Sequence, residues 1–208
     1  MAIVWVAYFQ FFFWQYRRSR RPYLVIHHAQ NEDPEALCLL VNMSESPVHI
    51  QCVQVVVTDQ QGEISVLGVT QYERVDGDDH NVQRSLRQGP LRSGDFLVLG
   101  AFADIVRGRN STGQILQKFD DIRALEIRAA AIHGPSPFPV GVRRTFTVQH
   151  EEDGASITPC NVHTEQLTRR KDRAQVRRWL EEELQPQRKG KAQSDRSDQR
   201  PRALKASS

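Results

Sequence analysis

Residues 47–58 read PVHIQCVQVVVT, and their pattern decides the fold. Val48, Ile50 and Cys52 share one parity, while Val53, Val55 and Val57 share the other. Successive side chains of a strand point to opposite faces. A period-two run that changes phase midway therefore predicts a β-bulge, or a strand passing from one sheet to another. Either outcome implies a layered β fold.

The flanking stretches agree. Residues 22–29 (PYLVIHHA) alternate, and 36–43 (ALCLLVNM) are almost continuously apolar, as in a strand covered on both faces. The turn-forming NEDPE separates them. Beyond the QQGE turn, EISVLGVTQYE (63–73) and FLVLGAF (96–102) read as strands. Residues 120–133 (DDIRALEIRAAAIH) have helical composition with Asp120 as a cap, yet Leu125, Ile127, Ala129 and Ala131 alternate with polar neighbours. A strand is the better reading among so many strands. GPSPFPVG (134–141) reads as a loop because its prolines lack amide donors, and VRRTFTVQ (142–149) is the last strand.

Strands without alternating helices predict an all-β sandwich over 22–162, with an immunoglobulin-like topology as the default. The Cys–Trp–Cys core of antibody domains is absent, since no tryptophan lies between Arg17 and Arg178. Residues 163–184 read as a charged helix with Thr164 as N-cap and Val176, Leu180 and Leu184 at four-residue spacing. The polar, basic stretch 185–208 reads as a disordered tail.

The first sixteen residues, MAIVWVAYFQFFFWQY, hold eight of the sixteen aromatic residues in the chain. They are Trp5, Tyr8, Phe9, Phe11, Phe12, Phe13, Trp14 and Tyr16. A basic stop at 17–21 (Arg17, Arg18, Arg20 and Arg21) follows directly. This predicts a single-pass transmembrane anchor over 1–16 with the lipid bilayer as partner. Sixteen helical residues span about 24 Å against a hydrocarbon layer of about 30 Å, so local thinning and arginine snorkelling must make up the difference. A signal peptide fits poorly, because the charge comes after the apolar run rather than before it. A buried aromatic element of the domain is the alternative. The arginines place the main domain on the cytoplasmic side by the positive-inside bias.

The net charge of +3 hides a partition. Residues 22–162 carry eleven basic and eighteen acidic side chains, whereas 185–208 carry seven basic and two acidic. The tail is thus a candidate for anionic lipid. It lacks aromatic residues for base stacking, which argues against single-stranded nucleic acid.

No GxSxG, GxxxxGK[ST], HExxH or GxGxxG occurs, so no enzymatic activity and no cofactor are expected. Cys38, Cys52 and Cys160 form no CxxC pair, and a Cys38–Cys52 bridge is conceivable only after export. Asp76, Asp78, Asp79 and His80 miss the EF-hand spacing and read as a solvated loop. Adjacent His27 and His28, with His49, lack the third ligand of a metal site. Asn42-Met43-Ser44 and Asn110-Ser111-Thr112 match the glycosylation pattern, which matters only for an exported domain. Phe138, set among Pro135, Pro137 and Pro139, is either a contact for an unknown protein partner or a cap on the core. The function expected from these residues is a non-catalytic binding or scaffolding module. The alternatives are an enzyme without a local signature and an exported, tethered ligand-binding domain.

Overall fold

Val48, Ile50, Val53, Val55 and Val57 all enter one core, although the two groups differ in parity. They belong to strand β3 (Val48–Asp59), whose register against β7 (Ile122–His133) shifts between Ile50 and Cys52. The extra residue of this bulge reverses the alternation, so both halves of β3 point inward and Cys52 turns to the other face. The phase change in 47–58 is this bulge.

The computed structural model describes residues 2–19, 21–29, 32–69, 88–106, 119–134, 136–151 and 154–184. Two antiparallel sheets make the fold all-β. The smaller has the order β1-β2-β6, from β1 (Leu24–His28), β2 (Leu37–Asn42) and β6 (Phe96–Ala101). The larger is centred on β3, β7 and β8 (Pro139–Glu151). Each edge of that trio is split between two shorter strands. β4 (Ile64–Gly68) and β5 (Gly89–Leu91) pair with β3, and β9 (Gly154–Pro159) and β10 (Glu165–Leu167) pair with β8.

The inner faces meet around Leu24, Ile26, Leu40, Leu99, Leu125 and Ile127, all fully buried. Each such side chain contributes about 1.5–3 kcal/mol of transfer free energy. Phe102, in the short helix α2 (Phe102–Val106), meets Phe146 of β8 edge-on with centroids 4.9 Å apart.

Helix α3 (Arg173–Leu184) lies on the outer face of the larger sheet. There Val176 and Trp179 pack with Cys52, Ala130 and Leu167 in a second, smaller core. Gly141 lets the helix approach. A Cβ at that position would lie 2.6 Å from Val176 Cγ2 and 2.9 Å from Trp179 Cζ3. Gln54, outward on β3, donates to the Trp179 carbonyl at 2.9 Å.

Several expectations are corrected here. The helix expected over 163–184 begins at Arg173, and Glu165–Leu167 is a strand paired with Gly141–Arg143. Thr164 is no helix cap, because its buried hydroxyl bonds to both backbone groups of Ile26. With β10 and α3 packed on the sheet, the folded unit runs past 162 to the end of α3. The strand read over 120–133 is present as β7 (Ile122–His133), and only Asp120 and Asp121 differ, lying in the preceding 3₁₀ turn Phe119–Asp121. β8 begins at Pro139, inside the expected loop, because proline is tolerated at the first position of a strand. β2 is covered on one face only: Cys38, Leu40 and Asn42 are buried while Leu37 is exposed. The segments 70–73 and 185–208 lie outside the described residues.

Candidate functional site

Ala2–Ser19 form helix α1, and every side chain from Ile3 to Tyr16 is exposed. The apolar surface goes all round the helix, so no polar face is kept for water. Its aromatic rings touch one another. Trp5 meets Tyr8 edge-on at 6.5 Å, and Phe9 stacks on Phe13 at 6.3 Å, one helical turn apart. The alternative of a buried aromatic element is not what the fold contains.

No helix among the described residues is long and apolar enough to cross a membrane. The expected transmembrane segment is corrected to that extent. The reason is composition: Gln10 and Gln15 interrupt the run, tryptophan and tyrosine are only mildly apolar, and Arg17 and Arg18 occupy the last turn. Arg20 lies outside the described residues, and Arg21 is exposed at the start of the link to β1.

Near that link, a cleft forms between the end of α1 and the domain. Phe12, Gln15, Tyr16 and Arg21 line one side, and Tyr23, Met43, Ser44 and Glu45 the other. Tyr23 and Met43 adjoin the outer face of the smaller sheet, which no side chain pattern in the sequence marked as open. On it the cross-strand rows Val25–Val41–Phe96 and His27–Leu39–Val98 lie side by side. Phe96 is 61% exposed and Met43 60%.

The other candidates are scattered. Phe138 does not cap the core; it is half exposed with the Arg173 guanidinium 4.1 Å from its ring centroid. His27 and His28 bring their rings within 5.6 Å, and His28 turns edge-on to Phe146 at 6.0 Å. Among the described residues no group of three His, Cys, Asp or Glu side chains is placed to hold a metal ion. The acidic cluster at 76–80, Pro135 and the Asn110 pattern lie outside the described residues.

Asn42 is fully buried. Its amide nitrogen donates to the carbonyls of Ser46, Leu91 and Arg92, and its oxygen accepts from the Ser44 N–H. An asparagine so engaged is a loop organiser, closed to a glycan. Cys38 faces the core between the sheets, whereas Cys52 lies beneath α3 on the opposite side of the larger sheet, so the two cannot bridge. Burial pushes both thiols up to about 12. At that value neither is a nucleophile.

Arg144 is a buried cation whose contacts among the described residues include no carboxylate. It donates to the Ile26 carbonyl at 2.6 Å and to those of Asn161 and Val162 at 3.3 Å each, beside the Phe146 ring. Burial lowers its hold on the proton, and burial with the charge of Arg144 lowers that of His28. The arrangement fastens β1 and the 161–162 turn to β8; it holds no nucleophile or acid–base pair.

No known family matches the sequence, and no curated protein does either. Among solved structures, the X-ray structure of Northeast Structural Genomics Consortium target SoR45 aligns over 72% of this chain and 86% of its own. It is 9% identical with a TM-score of 0.19, a likeness too slight to carry an argument.

Proposed function

We propose that this chain is a membrane-anchored, non-catalytic binding or scaffolding module. α1 is its anchor, inserted as a single pass, and a β-sandwich of immunoglobulin-like topology stands on the cytoplasmic side. One observation carries the reading: the aromatic surface of α1, from Ile3 to Tyr16, is exposed throughout and leaves hydrocarbon or headgroups as its natural surroundings. The helix is not long and apolar enough for an unaided crossing, so the reading leans on aromatic and arginine anchoring at the interface and on local thinning of the bilayer.

Strand connectivity supports the immunoglobulin-like reading. Taken in chain order, β1-β2-β6 corresponds to strands A, B and E, and β8-β7-β3-β4 to G, F, C and C′. β9 and β10 extend the G edge, and α3 is an addition outside that plan. Phe138 beneath Arg173 is the proposed contact for a protein partner, and the basic segment 185–208 the proposed contact for anionic lipid.

Alkaline carbonate extraction tests the anchor. Full-length protein should stay in the membrane pellet, and its release into the supernatant would remove the reading. Protease protection of the C-terminal segment in sealed vesicles tests the orientation.

A further inference from the structure

We infer that the outer face of the three-stranded sheet rests on the lipid surface, so that the domain lies face-down on the membrane that holds α1. This rests on the anchor reading above and adds an orientation of the domain to it.

The link is the first reason. Five residue steps separate Ser19, the end of α1, from Leu24, the start of β1. A chain spans at most about 3.6 Å per residue, so the start of β1 stays within about 18 Å of the end of the anchor. β1 is an edge strand of the smaller sheet, and so this sheet is the layer held next to the headgroups.

The second reason is chemistry. The two rows Val25–Val41–Phe96 and His27–Leu39–Val98 hold no carboxylate, although the 22–162 segment is acidic overall. These two rows meet a headgroup layer without desolvating a carboxylate, and Glu45 of the adjoining cleft lies outside them. Tyr23, beside it, is of the residue type enriched at that depth.

Continuity is the third. Tyr23 and Met43 share a cleft with Phe12 and Tyr16 of α1, so the apolar surface of the helix leads into that of the sheet. The opposite side of the molecule carries α3 over the larger sheet, and among the described residues no helix packs on the outer face of the smaller one.

The test uses the full chain with Cys160→Ser, since Cys38 and Cys52 are buried. Val98→Cys, and separately Met43→Cys, is labelled with an environment-sensitive fluorophore and reconstituted into phosphatidylcholine vesicles carrying nitroxide lipid. Arg178→Cys, exposed on α3, is the control. Labels at 98 and 43 should shift to the blue and be quenched severalfold more than the label at 178. Quenching of Trp5 and Trp14 by brominated lipid reports the anchor independently. If those tryptophans are quenched while labels at 98 and 43 match the control, the inference is overturned and the anchor stands. If the tryptophans are not quenched, the anchor reading itself fails. Disulfide-linked dimers through Val98→Cys without lipid quenching would assign the face to a second copy, which also overturns the inference.

Discussion

The side-chain carboxamide of Gln166 closes on both backbone groups of Leu24, accepting from its N–H at 3.3 Å and donating to its carbonyl at 2.6 Å. Thr164 does the same two residues along, accepting from the Ile26 N–H at 3.0 Å and donating to its carbonyl at 3.2 Å. A strand edge presents alternate residues to the outside, and here two side chains substitute for a neighbouring strand. The outer edge of β1 is thereby shielded from another chain.

Replacing this clasp should open the edge. Gln166→Leu leaves both groups of Leu24 without their partner and should cost about 1–3 kcal/mol. Urea denaturation reads the loss, and hydrogen exchange should accelerate at the Leu24 amide. In Thr164→Val the same acceleration is expected at Ile26. Unchanged exchange at both amides would mean that the clasp does not hold the edge.

Gly141 sets the distance between α3 and the larger sheet. Gly141→Val drives a side chain into Val176 and Trp179, and overpacking of this kind costs about 1–3 kcal/mol or displaces the helix. In a Trp5→Phe, Trp14→Phe background, the emission of Trp179 should move to the red. Emission like that of the parent, with unchanged stability, would show that α3 tolerates the extra volume.

Thiol chemistry should sort the cysteines. Cys160 is exposed, and its sulfur lies 2.9 Å from Thr147 Oγ1, while Cys38 and Cys52 are buried. A folded sample titrated with an aromatic disulfide should release one equivalent quickly, and a sample in denaturant three. Fast reaction of a second thiol in the native protein would contradict the packing around β2 or under α3.

Acid should weaken the domain through His28. Burial, then Arg144 and His27, hold its proton affinity below that of the free imidazole at 6.5, against a partial offset from Glu32. The unfolded chain therefore binds this proton more tightly. Stability is full above pH 6.5, declines as pH falls below it, and levels once the folded histidine also protonates. His28→Phe should flatten the melting temperature between about pH 7 and 5. Glu165, held low by its hydrogen bond to Arg143, is lost only at more acidic pH, below the ordinary carboxylate value of 4.5. A slope identical in the variant and the parent would assign the acid sensitivity to other groups.

Local pattern carried most of the fold. The alternation in 47–58 located the bulge because a buried strand writes its two faces directly into the order of residues. Ile122–His133 was readable as a strand for the same reason, against its helical composition. What stayed hidden depends on long-range partners. Nothing near Thr164 or Gln166 announces that they bond to a strand some 140 residues earlier, and a three-residue strand is too short for a period to register. The run 36–43 looked fully buried because composition alone cannot tell an apolar face covered by protein from one left open. The aromatic segment is legible as an apolar run, while the exposure of its side chains depends on where the rest of the chain packs.

The short link between α1 and β1 also fixes where mechanical load enters the domain. Any pull between α1 and the domain reaches the folded unit at Leu24, at the end of an edge strand. One flank of that strand is sewn to β2 by a regular ladder, and the other is held by Gln166, Thr164 and Arg144. Tension perpendicular to the sheet would peel β1 one rung at a time, whereas tension along it would have to shear the whole row at once. The clasp residues, drawn from the larger sheet and from the start of β10, divert part of that force away from the smaller sheet. A tether at one corner thus becomes a load shared by both layers.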